Sequence, residues 1–301
     1  MGWVGKPNAY VPDMYGPGIY VRTNARGFRS DTETPPAVVS EKRRIICAGD
    51  SFTFGEGVSN ATNWCHQLSL LSDNFETVNM GQPGYGVDQI FLRYMRDGIN
   101  LDHEILIFAF VDGDLDRMAY SHMYGYGKPI LVLDNGNLSP TNVPVPRFRW
   151  NLSRMLERAD LRSVEFVQRI ASRPAEPVSP IDQVGPVATR VFRSVYESCL
   201  EKGIVPIFVY LPTERDIAEE TPWHSWVASA MTSLDIPMID LTPMMRRISA
   251  SEAASFFIPD SLPAGGHYTE SGNLWVAEIL QKTLMKDTRI LGIERADQES
   301  D

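Results

Sequence analysis

An α/β fold on a parallel sheet is what this sequence predicts, and two observations predict it. From Arg44 onward, apolar runs of strand length alternate with longer segments of helical period, the pattern of successive βαβ units. The runs are apolar on consecutive residues, as strands covered on both faces are.

The elements follow in order. Residues 1–42 are rich in Gly, Pro, Asn and Tyr, and GIYVRTNARGFRSD reads as an extended segment and a turn, so this stretch is expected to form an N-terminal arm packed on the main domain. Strands are predicted at 45–48, 77–80, 105–110, 205–210 and 238–240, and helices at about 63–71, 87–100, 186–202, 218–234 and 270–285. Thr269 is placed to cap the last helix, whose apolar side carries Trp275, Val276, Ile279 and Leu280. After the third strand, at about 116–180, the alternation stops. This insertion holds a Tyr- and Gly-rich loop, AYSHMYGYGKP, a hairpin signal at Asp134-Asn135-Gly136, and a helical stretch in which Arg154, Arg158 and Arg162 share one face. That face reads either as a solvated surface paired with Glu157, Asp160 and Glu165, or as a lid or docking surface for an anionic group. The main domain is predicted to end near residue 290, followed by an acidic tail at 291–301.

With 28 basic and 38 acidic residues among 301, the formal net charge is −10, which argues against nucleic acid and anionic membrane surfaces as partners. Cys47, Cys65 and Cys199 have neither disulfide nor zinc-ligand spacing, and His66, His103, His122 and His224 lack companions of metal-ligand type, so no metal is expected. No apolar run is long enough to span a membrane, and MGWVGKPNAY lacks the regions of a signal peptide. Taken as given, the chain is expected in the cytoplasm, or exported or anchored if a leader precedes it.

In open parallel sheets ligands bind beyond the carboxyl ends of the strands, and four such places are polar or Gly-rich here. In RRIICAGDSFTFGEG a strand runs into Gly49-Asp50-Ser51, where a tight turn would lift the Ser51 hydroxyl out of the sheet; the same serine could equally cap a helix. In VNMGQPGYGVDQ, Gly81, Gly84 and Gly86 allow close approach of a ligand, and the N–H of Gly84 could face a developing oxyanion. A nucleotide loop is disfavoured, because the first turn lacks Gly-x-Gly-x-x-Gly and no ribose-binding acid is evident. FVDGDLDR sets Asp112, Asp114 and Asp116 after the third strand, either a surface turn or an active-site rim. IPDSLPAGGHYTESGN places His267 in a Gly-rich loop before the last helix, expected to return over the same sheet edge as Ser51.

In that order these blocks resemble the SGNH, or GDSL-type, hydrolase superfamily. Gly49-Asp50-Ser51 matches its first block, Asn79-Met80-Gly81-Gln82-Pro83-Gly84 its Gly block, Gly113-Asp114-Leu115 lies where its Asn-Asp block belongs, and His267 matches its last. The arm segment Asn24-Ala25-Arg26-Gly27-Phe28-Arg29 is similar to one that precedes the first block in bacterial members linked to polysaccharide modification. The resemblance implies a flavodoxin-like three-layer α/β/α sandwich with a central five-stranded parallel sheet, the N-terminal arm and a helical insertion after the third strand. It implies no cofactor, and acyl transfer by Ser51 with His267 as base, on an ester of a carbohydrate or another small polar substrate. Ser51 and Gly84 would supply backbone donors to the oxyanion. Two positions depart from the family pattern. Gly113 stands where the oxyanion Asn belongs, and the positions just before His267 that should hold its orienting acid are Ala264 and Gly265. Asp260 is then the candidate third member, if the SLPAGG loop folds back, with Asp112 or Asp114 as partial substitutes. The alternative reading is an accessory or binding protein on the same scaffold, with catalysis weakened or lost.

Overall fold

The computed structural model describes residues 1–38, 41–146 and 180–291. Five parallel strands, β1 (Arg43–Ala48), β2 (Phe75–Asn79), β3 (Ile105–Phe110), β4 (Val205–Tyr210) and β5 (Met238–Asp240), form one sheet in the order β2-β1-β3-β4-β5. Register is set by Ile45 beside Thr77, Cys47 beside Ile107, Ile107 beside Ile207, and Tyr210 beside Asp240. This is the doubly wound order whose reversal point lies between β1 and β3, where a crevice opens at the carboxyl ends.

Because side chains alternate across a strand, consecutive apolar residues sort into two cores. Ile46, Ala48, Leu106, Phe108, Phe110 and Phe208 face one layer, built from α3 (Val87–Arg93), α5 (Pro180–Glu201) and α6 (Pro222–Ser233). Ile45, Cys47, Ile105, Ile107, Ala109 and Val209 face the other, built from α2 (Trp64–Leu70) and α7 (Glu270–Leu284). The result is the three-layer sandwich. The short helices α1 (Ser51–Phe54) and α4 (Asp112–Asp116) sit at the ends of β1 and β3.

Several boundaries differ from the sequence expectation, each for a local reason. The segment expected as one helix at 218–234 is broken: Glu214–Ala218 ends, and Thr221 accepts from the His224 N–H to start a new helix with Pro222 in its first turn. The helix expected to run to residue 100 widens after Arg93 into a π-turn, in which Ile99 N–H donates to Tyr94 O at 2.8 Å. The described part of the insertion is two β-ribbons, His122–Met123 with Tyr126–Gly127 and Ile130–Asp134 with Asn137–Thr141, the second turning at the signalled Asn135-Gly136. The predicted helical face of Arg154, Arg158 and Arg162, and most of the acidic tail, lie outside the described residues.

The arm packs on the domain through particular bonds. Trp3 Nε1 donates to Pro83 O at 2.9 Å, Tyr85 Oη to Trp3 O at 2.5 Å, and Gln89 Nε2 to Met1 O at 2.8 Å. Asn24 Oδ1 accepts from Arg26 N–H and Phe28 N–H, forming the turn that delivers Arg29 into the domain. The buried Arg29 guanidinium donates to the carbonyls of Phe54, Gly55 and Val58, and lies over the Phe54 ring at 4.6 Å. The arm therefore clamps the chain just after α1.

Candidate active site

β1 runs into Gly49, which has no room for a side chain: a Cβ there would lie 2.0 Å from Thr53 Oγ1 and 2.9 Å from Ala109 O. That close approach lets α1 start immediately, with Asp50 as its N-cap accepting from Phe52 N–H at 2.9 Å. Ser51 is thus the first helical residue, and its own N–H belongs to the set with no intrahelical acceptor. The helix stops after one turn at Gly55, whose backbone is left-handed.

His267 reaches the same point from the far end of the chain. Ile258 N–H donates to His267 O at 2.8 Å, Gly266 N–H to Ile258 O at 2.8 Å, and the buried Tyr268 hydroxyl to Pro212 O at 2.6 Å, which ties the loop to the chain after β4. Thr269 caps α7 through Gly272 N–H, as its position in the sequence predicts. The His267 ring packs on Phe52 with centroids 4.8 Å apart.

The two side chains meet. Ser51 Oγ lies 2.8 Å from His267 Nε2, and His267 Nδ1 lies 3.0 Å from Ala264 O. A carbonyl can only accept, so the Nδ1 proton is fixed there and Nε2 presents a lone pair to the serine hydroxyl. Asp50 Oδ2 is the second acceptor near Ser51 Oγ, at 3.2 Å. Ser51 is 3% exposed, whereas the His267 side chain keeps 20% of its surface open, so solvent reaches the pair mainly at the imidazole.

The glycine loop after β2 closes one side. Asn79 Nδ2 donates to Thr53 O at 2.8 Å and Gln82 N–H to Gly49 O at 3.0 Å, fastening the loop to the turn that carries Ser51. Gly84 has φ +75, and the Tyr124 ring lies 2.5 Å from where its Cβ would stand. Among the described residues the Gly84 N–H has no acceptor.

The third side comes from β3. Asp114 is buried and accepts from Val111 N–H at 3.1 Å and from Arg117, which also reaches Asp50 Oδ2 at 3.4 Å and Tyr85 O at 3.1 Å. Burial, with the neighbouring Asp50 carboxylate, pushes the Asp114 carboxyl well above the ordinary range while Arg117 opposes the shift. Half-buried Asp112 accepts from Gly113 N–H at 2.7 Å, and burial raises its carboxyl too. Asp112 and Gly113 stand at the rim.

Asp260 does not join the pair. The SLPAGG loop does fold back, so that a Cβ on Gly265 would lie 2.6 Å from Asp260 Cα, but the Asp260 side chain is exposed and makes no bond to the His267 ring. The acceptor at Nδ1 is the carbonyl of Ala264, a non-glycine residue at φ +62, a conformation that costs about 1–3 kcal/mol and clusters at functional sites. The carboxylate nearest the ring is Glu56, with Oε2 3.8 Å from Nε2, on the serine side rather than the Nδ1 side. Burial raises the Glu56 carboxyl, with His267 pulling the other way. Reasoning from sequence overlooked Glu56 and Arg117. Arg117 was visible as the basic residue closing FVDGDLDR, whereas Glu56 had no signal beyond lying between Gly55 and Gly57. Among the described residues no cluster of three or more His, Cys, Asp or Glu is placed to hold a metal ion, and no helix is long and apolar enough to cross a membrane.

The class of site is therefore a serine–imidazole pair beside glycine-loop amides at the switch point of a doubly wound sheet. No protein-family model and no curated protein matches the sequence. Among solved structures, the chain is similar to one described as a lipolytic protein of the G-D-S-L family from Desulfitobacterium hafniense, at 15% identity over 80% of this chain and 99% of that one, with a TM-score of 0.47. It is similar also to a member of the lipolytic G-D-S-L family from Veillonella parvula, at 12% identity over 81% and 100% of the two chains and a TM-score of 0.47. A lipase/acylhydrolase from Enterococcus faecalis matches at 13% identity over 80% and 95%, with a TM-score of 0.43.

Proposed function

We propose that the protein is a serine esterase or O-acyltransferase with Ser51 as nucleophile and His267 as general base. The observation that carries this is the 2.8 Å approach of Ser51 Oγ to His267 Nε2, with the opposite ring nitrogen held by a carbonyl. His267 takes the Ser51 proton as Oγ bonds to the ester carbonyl carbon, and the carbonyl π pair moves onto oxygen. The backbone N–H groups of Ser51 and Gly84, which meet no acceptor among the described residues, would receive that charge. Collapse breaks the bond to the alcohol oxygen, which leaves with the proton from His267. Water, or an acceptor hydroxyl in the transferase case, then gives its proton to His267 and attacks the acyl group, and Ser51 Oγ departs and recovers that proton.

A small polar or carbohydrate ester suits a site beside which Tyr124, 65% exposed, lies directly against Gly84, with exposed Tyr120 and Tyr126 on the same loop. Aromatic faces of this kind stack on sugar rings while the hydroxyl stays wet. A second reading, an accessory protein that binds such esters without turning them over, is favoured by the lack of a carboxylate at His267 Nδ1 and of a side chain at Gly113.

Hydrolysis of p-nitrophenyl acetate separates the two. The catalytic reading expects turnover that falls on the order of 10⁴-fold or more in Ser51→Ala and His267→Ala. Wild-type rates equal to those of both variants would leave only the binding reading.

A further inference from the structure

The guanidinium of Arg117 is wedged among the three loops that build the cleft, and its hydrogen bonds are lopsided. All of its bonds to protein acceptors run through Nη1: to Asp50 Oδ2 at 3.4 Å, to Tyr85 O at 3.1 Å, and to Asp114 Oδ1. Nη2 donates to no protein group among the described residues. The Asp50 oxygen that Nη1 reaches is the one 3.2 Å from Ser51 Oγ, so a single carboxylate oxygen separates the cation from the nucleophile. The side chain is 21% exposed, and Nη2 is not among the fully buried unpartnered atoms. A Cβ built on Gly113 would lie 3.7 Å from Arg117 Nη2, an ordinary van der Waals contact, and beyond its own helix and chain neighbours it meets no other described atom within 4 Å. Nη2 therefore lies beside Gly113 in the first turn of α4, where the fold leaves room for a side chain that glycine lacks.

This position is held rather than incidental. Lys128 Nζ donates to Arg117 O at 2.7 Å and pairs with buried Asp88 at 3.0 Å, which fixes the backbone of Arg117 against α3. Asp114 and Asp50 fix the other end. A guanidinium stays charged across the working pH range and offers a fork of donors, so anchoring one arm of the fork aims the other.

We propose that Arg117 is a catalytic residue: its Nη2 donates to the substrate carbonyl oxygen as that oxygen gains the carbonyl π pair, in the space left open by Gly113. The proposal rests on the serine-esterase reading above. No proton moves to or from Arg117; the guanidinium acts as a fixed, charge-assisted donor complementing the amides of Ser51 and Gly84, and the electron pair returns from oxygen when the leaving group departs. A charged donor at this point makes up for the absence of a neutral amide side chain at Gly113.

The test compares Arg117→Lys with and without Gly113→Asn, using p-nitrophenyl acetate and thermal melts. Lysine keeps a positive charge beside Asp50 and Asp114 but has no second arm. The expected result is a kcat roughly 100-fold lower with KM little changed, as for loss of one oxyanion donor, and recovery of at least about 10-fold when Gly113→Asn supplies an amide to the same space. A folded Arg117→Lys protein with wild-type kcat, or one whose loss Gly113→Asn does not relieve, overturns the proposal. Should Arg117→Lys melt below the assay temperature, Asp114→Asn with Arg117→Gln removes the buried cation together with one partner and carries the same comparison, with and without Gly113→Asn. Failure of the underlying reading would look different, because wild type itself would then show no turnover dependent on Ser51.

Discussion

At the scale of single residues, the proposed chemistry turns on how an imidazole is held without a carboxylate. His267 Nδ1 meets the Ala264 carbonyl, a neutral acceptor, where a carboxylate would stabilise the imidazolium more strongly. The negative groups close at hand, Asp50 and Glu56, lie on the serine side. It follows that Asp260→Ala retains kcat within a small factor of wild type, a result read from the same ester assay. A large loss would mean that Asp260 reaches the ring during turnover. Gly84 is the second sensitive position. With φ +75 and Tyr124 already 2.5 Å from its would-be Cβ, Gly84→Ala must shift the loop. Loss of one oxyanion donor would lower kcat roughly 100- to 1000-fold with little change in the melting temperature. Unchanged kcat in that variant would remove Gly84 from the site.

Elements matter because the cleft is assembled from loops that would otherwise be loose. The ribbon at 122–141 is attached through Lys128, whose ammonium is buried beside Asp88 at 3.0 Å and donates to the carbonyl of Arg117. Burial lowers the ammonium and raises the carboxyl from their ordinary ranges, and the pairing opposes both shifts. Lys128→Met, which strands the carboxylate, is expected to destabilise the fold by about 3–5 kcal/mol in urea denaturation. A change below about 1 kcal/mol, the range of exposed pairs, would show that water reaches the pair. The arm works in the same way on the other flank, where Arg29 binds three carbonyls just beyond α1.

Over the whole molecule, much of this arrangement could be read from the sequence. β3 and β4 were legible because they are long and almost wholly apolar, whereas β2, which reads FETVN, begins two residues before its predicted start; Ser51, Gly84 and His267 stood out because glycine and polar residues follow the strands abruptly. The partners that hold the site were less so. Arg117, Lys128 and Asp88 are charged residues in charged surroundings, and nothing in one dimension distinguishes a buried ion pair from a solvated one. The backbone acceptor of His267 has no side-chain signature at all. Burial has a global consequence as well. His103 is enclosed between Tyr94 Oη and Leu101 O, and burial above all lowers its pKa from 6.5 to about 4. Below pH 6.5 the unfolded chain takes up a proton that the folded one refuses, so this contribution to stability is lost as pH falls from 6.5 toward about 4. The loss is on the order of 3 kcal/mol, and His103→Gln should flatten the dependence of the urea midpoint on pH across that window. An equal slope in both proteins would place a proton on His103 in the native state.

The central claim is that the fold joins a hydroxyl and an imidazole from opposite ends of the main domain into one nucleophile. Covalent labelling with a fluorophosphonate, followed by peptide mass mapping, tests it most directly. The adduct is predicted on Ser51 of wild type, greatly slowed in His267→Ala and absent in Ser51→Ala. Wild-type protein that takes up no label, or carries it on another residue, would contradict the account.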